Sequence, residues 1–206
     1  MKTRKLFWII TIILAIAIGL YPLTYLIIDM RSNGLLASKS QELLSTSIYN
    51  ISFYIHIFLG AVALLIGWAQ FSIKWRTKHL NLHRTVGKVY IISVLLSGIA
   101  GLYIAYHATG GLPAKLGFSS LALLWLITTV SAYTTIRNKN IIAHQKWMIR
   151  SYALTFAAVT LRFWMPTIPI IFNIGFSESY PIISWLCWVP NIIFAEILIK
   201  RQIRTH

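Results

Sequence analysis

The sequence predicts an all-α membrane protein, a bundle of six transmembrane helices whose second to fifth spans form the core. Of its 206 residues, 57% are hydrophobic and only 11% are charged, whereas soluble domains carry about 25% charged residues. Six apolar segments reach membrane-spanning length; they lie at about 6–28, 51–73, 88–108, 117–136, 147–171 and 181–199. Short loops join them, so we expect one integral membrane domain over residues 1–206.

The first span and the loop after it form an N-terminal addition over residues 1–50. The chain begins with the basic stretch M-K-T-R-K and stays apolar to Ile28. That length suits a membrane helix better than a signal peptide, so we expect an uncleaved first span. The loop at 29–50 is expected to hold a short surface helix between Ser38 and Ser47. The remaining residues, 51–200, are then the helical core.

The cationic residues concentrate on one side of the predicted membrane. Fifteen of the nineteen Lys and Arg residues lie in the N-terminal tail, the loops at 74–88 and 137–150, and the C-terminal tail. The positive-inside rule therefore predicts a multi-pass cell-membrane protein with both termini in the cytoplasm. The net charge of +15 would suggest nucleic acid in a soluble protein. In a membrane protein we expect the positive charge to orient the helices and to bind anionic lipid headgroups. The expected partner is therefore the bilayer and not nucleic acid.

The fifth span carries a polar stripe. His144 and Arg162 are eighteen residues apart, which is five turns of a straight α-helix and about 27 Å along its axis. Ser151 and Thr155 fall close to the same line. Lipid cannot satisfy these groups, so this face is expected to meet other helices or water.

Arg162 and Glu196 are ionisable residues inside predicted spans. Arg162 could bind a haem propionate, an anionic headgroup or an acidic quinol-like substrate. Alternatively, it satisfies carbonyls that Pro166 and Pro169 free where they break or kink the fifth span. Glu196 is expected to pair with a cation near the inner surface. The candidates are Arg84, Lys88 and Arg150.

Four histidines fall into two pairs by predicted depth. His83 and His144 lie at the cytoplasmic edge, and His56 and His107 lie near the outer edge. A six-coordinate haem b needs two neutral imidazoles at one depth on different helices. His83 and His144 are therefore the candidate ligands of a haem iron, and His56 and His107 are candidates for a second, outer haem. On a straight helix, however, His83 and His107 lie about 120° apart, so His83 would sit in a loop or the helix would bend.

His56 begins a stripe of small residues along the second span. Gly60, Ala63, Gly67 and Gln70 all lie within about 40° of the same line. Two interpretations stay open at this stage. The stripe could be a seam where another helix packs closely against a satisfied histidine, or the glycines could leave room for a flat cofactor.

Several stretches resemble one bacterial family of multi-spanning membrane proteins, catalogued as domain of unknown function 2306. They are H-I-F-L-G-A-V-A-L-L-I-G at 56–67, L-H-R-T-V-G-K-V-Y at 82–90, G-F-S-S-L-A-L-L-W-L at 117–126, the stretch 144–164, and W-L-C-W-V-P-N-I-I-F-A-E at 185–196. The resemblance covers about residues 50–200 and implies membership without a function. In arrangement alone, histidines at the helix ends of a four-helix core are similar to ferric-reductase and two-haem cytochrome b domains. The chain departs from them because no span carries two histidines thirteen or fourteen residues apart.

Two functional hypotheses follow from these residues. The first is a haem b-binding transmembrane redox protein with a redox partner, in which Arg162 contacts a propionate or another anion. The alternative is a non-catalytic transporter, lipid-handling protein or accessory membrane subunit that uses a cavity lined by histidine and arginine. We assign no catalytic residue, because the sequence holds no hydrolase triad, phosphate-binding loop or paired catalytic carboxylates.

Overall fold

The computed structural model describes residues 2–27 and 34–204, with side chains over 5–27 and 36–201. These residues form ten α-helices, joined in places by short 3-10 segments, and no strand. The helices are α1 (Lys2–Leu20), α2 (Gln41–Ser45), α3 (Ser47–Gly67), α4 (Ile73–Lys78), α5 (Leu80–Tyr106), α6 (Gly111–Arg137), α7 (Ile141–Thr155), α8 (Ala157–Phe172), α9 (Phe176–Leu186) and α10 (Val189–Arg204). The 3-10 segments are Tyr21–Leu26, Gly34–Ser38 and Trp68–Phe71.

Six helical segments in the described part of the chain are long and apolar enough to cross a membrane, which confirms the predicted number of spans. They are Lys5–Leu26, Ser47–Phe71, Leu80–Tyr106, Gly111–Arg137, Ile141–Phe172 and Phe176–Arg201. The third span begins at Leu80 instead of at 88, so His83 lies in the first turn of α5 and not in a loop. The short surface helix is present as α2, where the Ser40 hydroxyl accepts a hydrogen bond from the Leu43 N–H.

The core is a ring of four helices, α3, α5, α6 and α7. Along the ring α3 packs on α5, α5 on α6, α6 on α7, and α7 returns to α3. Consequently α5 and α7 are diagonal across the bundle, and they cross the membrane in the same direction. Outside the ring, α1 packs on α3 and α8, α9 on α6 and α8, and α10 on α7. The prediction that spans two to five form the core is thereby confirmed.

Close packing within the ring depends on small residues at the helix contacts. A methyl group added to Gly67 of α3 would lie 2.5 Å from the Tyr152 ring of α7. The Tyr152 hydroxyl crosses the same contact and donates to the Leu64 carbonyl at 3.2 Å. Gly67 thus lets α7 approach α3, as expected of small residues at helix contacts in a membrane.

The fifth span is two helices and not one. α7 ends at Thr155 and α8 begins at Ala157, with Phe156 between them. Near this break the Asn191 amide of α10 donates to the Ala153 carbonyl at 3.3 Å, a carbonyl that Ala157 would use in a continuous helix. The five-turn arithmetic for the polar stripe assumed one straight helix and therefore does not apply across Phe156.

Neither proline breaks this span, so the prediction of a proline break is wrong. Pro166 and Pro169 both lie inside α8, which continues to Phe172. Membrane helices tolerate proline where neighbouring groups satisfy the backbone.

Glu196 of α10 pairs with Arg150 of α7, one of its three predicted partners. The Arg150 Nε and Nη2 atoms donate to the two carboxylate oxygens at 2.5 and 3.0 Å. The Arg150 guanidinium also stacks on the Trp147 ring at 4.5 Å. This bidentate ion pair links the sixth span to the four-helix ring and neutralises both charges.

Candidate functional site

His83 and His144 lie at one depth on the two diagonal helices. Higher in the bundle, the Tyr90 hydroxyl of α5 meets the Ser151 hydroxyl of α7 at 2.8 Å. Each histidine lies seven residues before its member of that pair, which is two turns, or about 10 Å, along a helix that runs in the same direction. The two imidazoles are close enough to interact electrostatically. We call this end of the bundle, which carries the loops at 74–88 and 137–150, the basic end.

The ring nitrogens of this pair are arranged differently. His144 Nδ1 lies 2.8 Å from the Ala132 carbonyl oxygen of α6. A carbonyl oxygen only accepts, so Nδ1 carries the proton, and Nε2 of the neutral ring keeps its lone pair. Metal-bound histidines commonly use the same second bond to fix ring orientation. His83 Nδ1, in contrast, is buried without any hydrogen-bond partner in the described chain.

Further groups around His83 suit an anionic, flat ligand. Gln70 is 93% buried, and its Nε2 amide donor has no partner among the described residues. Gly87 lies one turn after His83 on α5. A methyl group added to Gly87 would have the Gln70 Oε1 atom as its nearest neighbour, at 3.7 Å. Arg76 and Arg84 both act electrostatically on His83. The basic end therefore offers two buried polar atoms without partners in the described chain, His83 Nδ1 and Gln70 Nε2, together with positive charge.

A buried hydroxyl network lies about 10 Å from the histidine pair, toward the middle of the bundle. The Tyr90 hydroxyl contacts the Ser151 and Thr155 hydroxyls, each at 2.8 Å. Thr155 donates to the Ser151 carbonyl and accepts from Trp125 Nε1, both at 2.9 Å. The Thr155 proton is thus already used, so Tyr90 donates to Thr155. Thr129 donates to the Trp125 carbonyl at 2.8 Å and contacts the Ser151 hydroxyl at 2.7 Å, so the Ser151 proton has two hydroxyl acceptors within reach, Thr129 and Tyr90.

His56 lies in a close seam between α3 and α5. Its Nδ1 donates to the Ser97 carbonyl at 2.9 Å, and the Ser97 hydroxyl donates back to the His56 carbonyl at 2.8 Å. A methyl group on Gly101 would lie 2.9 Å from the imidazole, and one on Gly60 would lie 3.2 Å from the Ser97 hydroxyl. These glycine surfaces are filled by the neighbouring helix, so the structure shows the seam and not room for a flat cofactor.

His107 lies just past the end of α5, among aromatic rings. Tyr49, Tyr103 and Tyr106 place their ring centroids 5.9, 5.0 and 5.1 Å from the imidazole. Burial lowers the pKa of His107, and the nearby cations Lys115 and Lys39 lower it further. The ring is therefore neutral near pH 7.

The structure does not bring His56 and His107 together. His107 packs edge-on against Tyr49, which precedes His56 by seven residues on α3, so the two imidazoles differ in depth by about 10 Å. α5 ends at Tyr106, so His107 lies outside the helix that carries His83. The angle of about 120° between His83 and His107 on a straight helix therefore requires no bend in α5. These residues do not fit a second haem.

Arg162 lies far from the basic end. Its guanidinium stacks over the Tyr21 ring at 4.5 Å, and Nη1 donates to the Ala158 carbonyl one turn earlier at 2.9 Å. The carbonyls that Pro166 and Pro169 free belong to residues 162 and 165. The alternative that Arg162 satisfies those carbonyls is therefore wrong.

The chemistry of the donor set at the basic end fits a haem better than a protein-only metal site. A structural zinc site needs four protein ligands and a catalytic one three, and the described residues hold no cluster of three or more His, Cys, Asp or Glu. A haem supplies four equatorial nitrogens itself and asks the protein for two axial ligands at most. His83, with its orphaned buried nitrogen, and His144, with its oriented ring, supply two.

Two groups at this site escaped the sequence analysis, Tyr90 and the unpaired amide of Gln70. The signal for Tyr90 was available, because residues 83, 87, 90, 94, 97 and 101 form a regular stripe along α5 at steps of three and four. Gln70 was placed on the stripe of the second span. Its missing partner depends on the arrangement of neighbouring helices, which no single-segment pattern contains.

Comparison with known families agrees with the architecture. The model of a family described as "Predicted membrane protein (DUF2306)" matches residues 53–199. The match covers more than half of the chain, so the chain belongs to this family and is a multi-pass membrane protein. Searches of curated proteins and of solved structures return no match.

Proposed function

We propose that this member of the DUF2306 family binds one haem b at the basic end and serves as a transmembrane redox protein. The observation that carries the proposal is the placement of His83 and His144 at one depth on diagonal helices of a four-helix ring. Cofactor sites in helix bundles are built from side chains on facing helices in this way. When bound, a haem with two imidazole ligands supplies one-electron chemistry.

The side chains of the chain have defined parts in this proposal. The Ala132 carbonyl holds the His144 ring in the tautomer whose Nε2 lone pair is free for iron. His83 supplies the opposing imidazole. Arg76 and Arg84 would face the propionates, and the Gln70 amide would donate to a carboxylate oxygen. Arg162 has no part in this site, because it lies toward the opposite end of the bundle.

The orientation of the chain supports electron delivery from the cytoplasm. An even number of spans brings both ends of the described chain to one side of the membrane. We infer from the positive-inside rule that this side, the basic end, is cytoplasmic. A redox partner would then approach the loops at 74–88 and 137–150. A reporter that is active only in the cytoplasm should be active when it is fused after Arg201. An inactive fusion would contradict the inferred orientation.

The test is the haem content and absorption spectrum of protein purified after expression with added haem. We expect about one haem per chain, with a Soret band and split bands after dithionite reduction. In His83→Ala and His144→Ala the haem should be lost, or the split reduced bands should disappear as one imidazole ligand is removed. His79→Ala is the matched control, because His79 is exposed, is one turn from His83 and makes no side-chain cap for α5.

A colourless wild-type protein would contradict the proposal. The second candidate function would then stand, in which the unused donors at the basic end bind a polar solute for transport. The specific observation in its favour is the buried network around Tyr90, which extends the polar surface from His83 and His144 toward the middle of the bundle.

A further inference from the structure

A second polar site lies toward the opposite end of the bundle, around Arg162 of α8. Beside its stacking contact with Tyr21, Arg162 interacts electrostatically with Tyr25 of the first span and His56 of α3. The guanidinium therefore lies where the first, second and fifth spans meet. It is ten residues from Phe172, the end of the span, which places it about 15 Å from that end along the helix.

The charge of Arg162 has no counter-charge among the described side chains. The ion pair between described residues joins Arg150 to Glu196, at the other end of the bundle. Of the five N–H donors of a guanidinium, one bonds within the described part of the chain, at the Ala158 carbonyl. An arginine within a span is costly unless it is paired or faces a functional site. Its remaining donors therefore call for an acceptor that the described chain does not supply.

The surroundings of Arg162 indicate what kind of molecule supplies that acceptor. Phe163, the next residue, is 59% exposed on the lipid-facing surface, and Leu20 beside Tyr21 is 48% exposed. The site thus borders the acyl chains of the bilayer and is not enclosed within the helix ring. A ligand with its charge on Arg162 and apolar chains along these residues is an amphiphile.

His56 adds a second polar group to the site. Because its Nδ1 proton is committed to the Ser97 carbonyl, Nε2 of the neutral ring is an acceptor. It makes no hydrogen bond within the described chain. A headgroup that combines an anionic phosphate with a hydroxyl would use the Arg162 donors and the His56 acceptor together.

We propose that Arg162, Tyr21 and His56 form a binding site for the headgroup of an anionic phospholipid. The planar guanidinium fork matches two phosphate oxygens. The Tyr21 ring beneath it fixes the plane of the fork and shields it from the acyl region. The site is independent of the histidine pair at the basic end, and neither proposal requires the other.

The experiment measures thermal unfolding of the full chain in a neutral detergent. Cys187 is the single cysteine and is fully buried, so a fluorogenic maleimide reports unfolding directly. Phosphatidylglycerol, phosphatidylcholine and inorganic phosphate are titrated separately. We expect phosphatidylglycerol to raise the melting temperature of the wild type in a saturable way, and the other two additives to give a clearly smaller rise.

Two variants assign the effect to the site. In Arg162→Gln the rise with phosphatidylglycerol should disappear or need about ten-fold more lipid, since a charge-assisted contact is lost. Lys115→Gln is the matched control, because Lys115 also stacks on a tyrosine ring, Tyr106, at 4.8 Å near the same end of the bundle. Its response should equal that of the wild type.

Two results would overturn the proposal. One is an equal response of Arg162→Gln and wild type to phosphatidylglycerol; the other is an equal response of the wild type to phosphatidylcholine or to inorganic phosphate. Should Arg162→Gln fail to fold, Arg162→Lys is measured in its place, because it keeps the charge and loses the fork. It should then need more lipid than the wild type, and an unchanged midpoint would refute the site.

Discussion

Replacing Tyr90 with phenylalanine removes one hydroxyl from the centre of the bundle and keeps the aromatic ring of the side chain. Tyr90 is fully buried, and its hydroxyl contacts the Ser151 and Thr155 hydroxyls, each at 2.8 Å. In Tyr90→Phe both contacts are lost. The Ser151 hydroxyl keeps its contact with Thr129 at 2.7 Å.

The magnitude follows from the number of hydrogen bonds lost, which is two. Each buried hydrogen bond contributes about 1 kcal/mol net. Thr155 keeps its bonds to Trp125 and to the Ser151 carbonyl, so its loss is the smaller one. We therefore expect Tyr90→Phe to lower the free energy of unfolding by about 2 kcal/mol, or the melting temperature by about 4–8 °C.

The assay is the Cys187 maleimide melt, with Tyr133→Phe as the control. Tyr133 is 40% exposed on α6, and its hydroxyl has no hydrogen bond within the described chain. Tyr133→Phe should melt within about 1 °C of the wild type, since exposed substitutions have small effects. Equal melting temperatures for Tyr90→Phe and wild type would contradict a stabilising role of the Tyr90 hydrogen bonds.

Two further predictions concern packing and the outer loop. In Gly117→Ala the new methyl would lie 2.9 Å from Ser184 Cβ and 3.1 Å from its backbone carbonyl carbon, which should cost about 1–3 kcal/mol of unfolding free energy. Gly175→Ala, where nothing lies within 4 Å, should melt as the wild type does, and similar melts for both variants would contradict the contact. Burial, with a nearby cation, lowers the pKa of Lys39 to about 8, so its acetylation rate, followed by peptide mass spectrometry, should be half-maximal near that pH. Between about pH 8 and 10.5, Lys39 is therefore protonated in the unfolded chain and deprotonated in the folded one. The free energy of unfolding should rise with pH across that window, because the unfolded chain binds more protons. A labelling midpoint at the ordinary lysine pKa would contradict both the lowered pKa and this pH dependence.

The spans and the depth of the histidine pair could be predicted from sequence because each depends on one segment at a time. Apolar length defines a span, and counting residues from a helix end gives depth. His83 and His144 were placed at the same depth on this basis alone. The pairing of Glu196 with an inner cation followed in the same way, since only a few cations share its depth.

The break at Phe156 and the partners of Arg162 could not be predicted, because both depend on contacts between helices. The break coincides with an amide that Asn191 brings from α10 to the Ala153 carbonyl. The pattern of proline residues pointed instead to Pro166 and Pro169, where the helix continues. Likewise, a helical wheel gives the face of Arg162 but not the Tyr21 ring that lies beneath it.

The haem proposal is tested most directly by the spin state of the iron in single-histidine variants. Electron paramagnetic resonance of oxidised wild-type protein should show low-spin ferric haem with two imidazole ligands. His83→Ala and His144→Ala should each convert it to high-spin haem or lose it. His56→Ala should keep the wild-type signal, because His56 lies in the α3–α5 seam and beside Arg162, away from the basic end. Absence of haem from the wild type, or loss of the low-spin signal in His56→Ala with retention in His83→Ala, would contradict the proposed site.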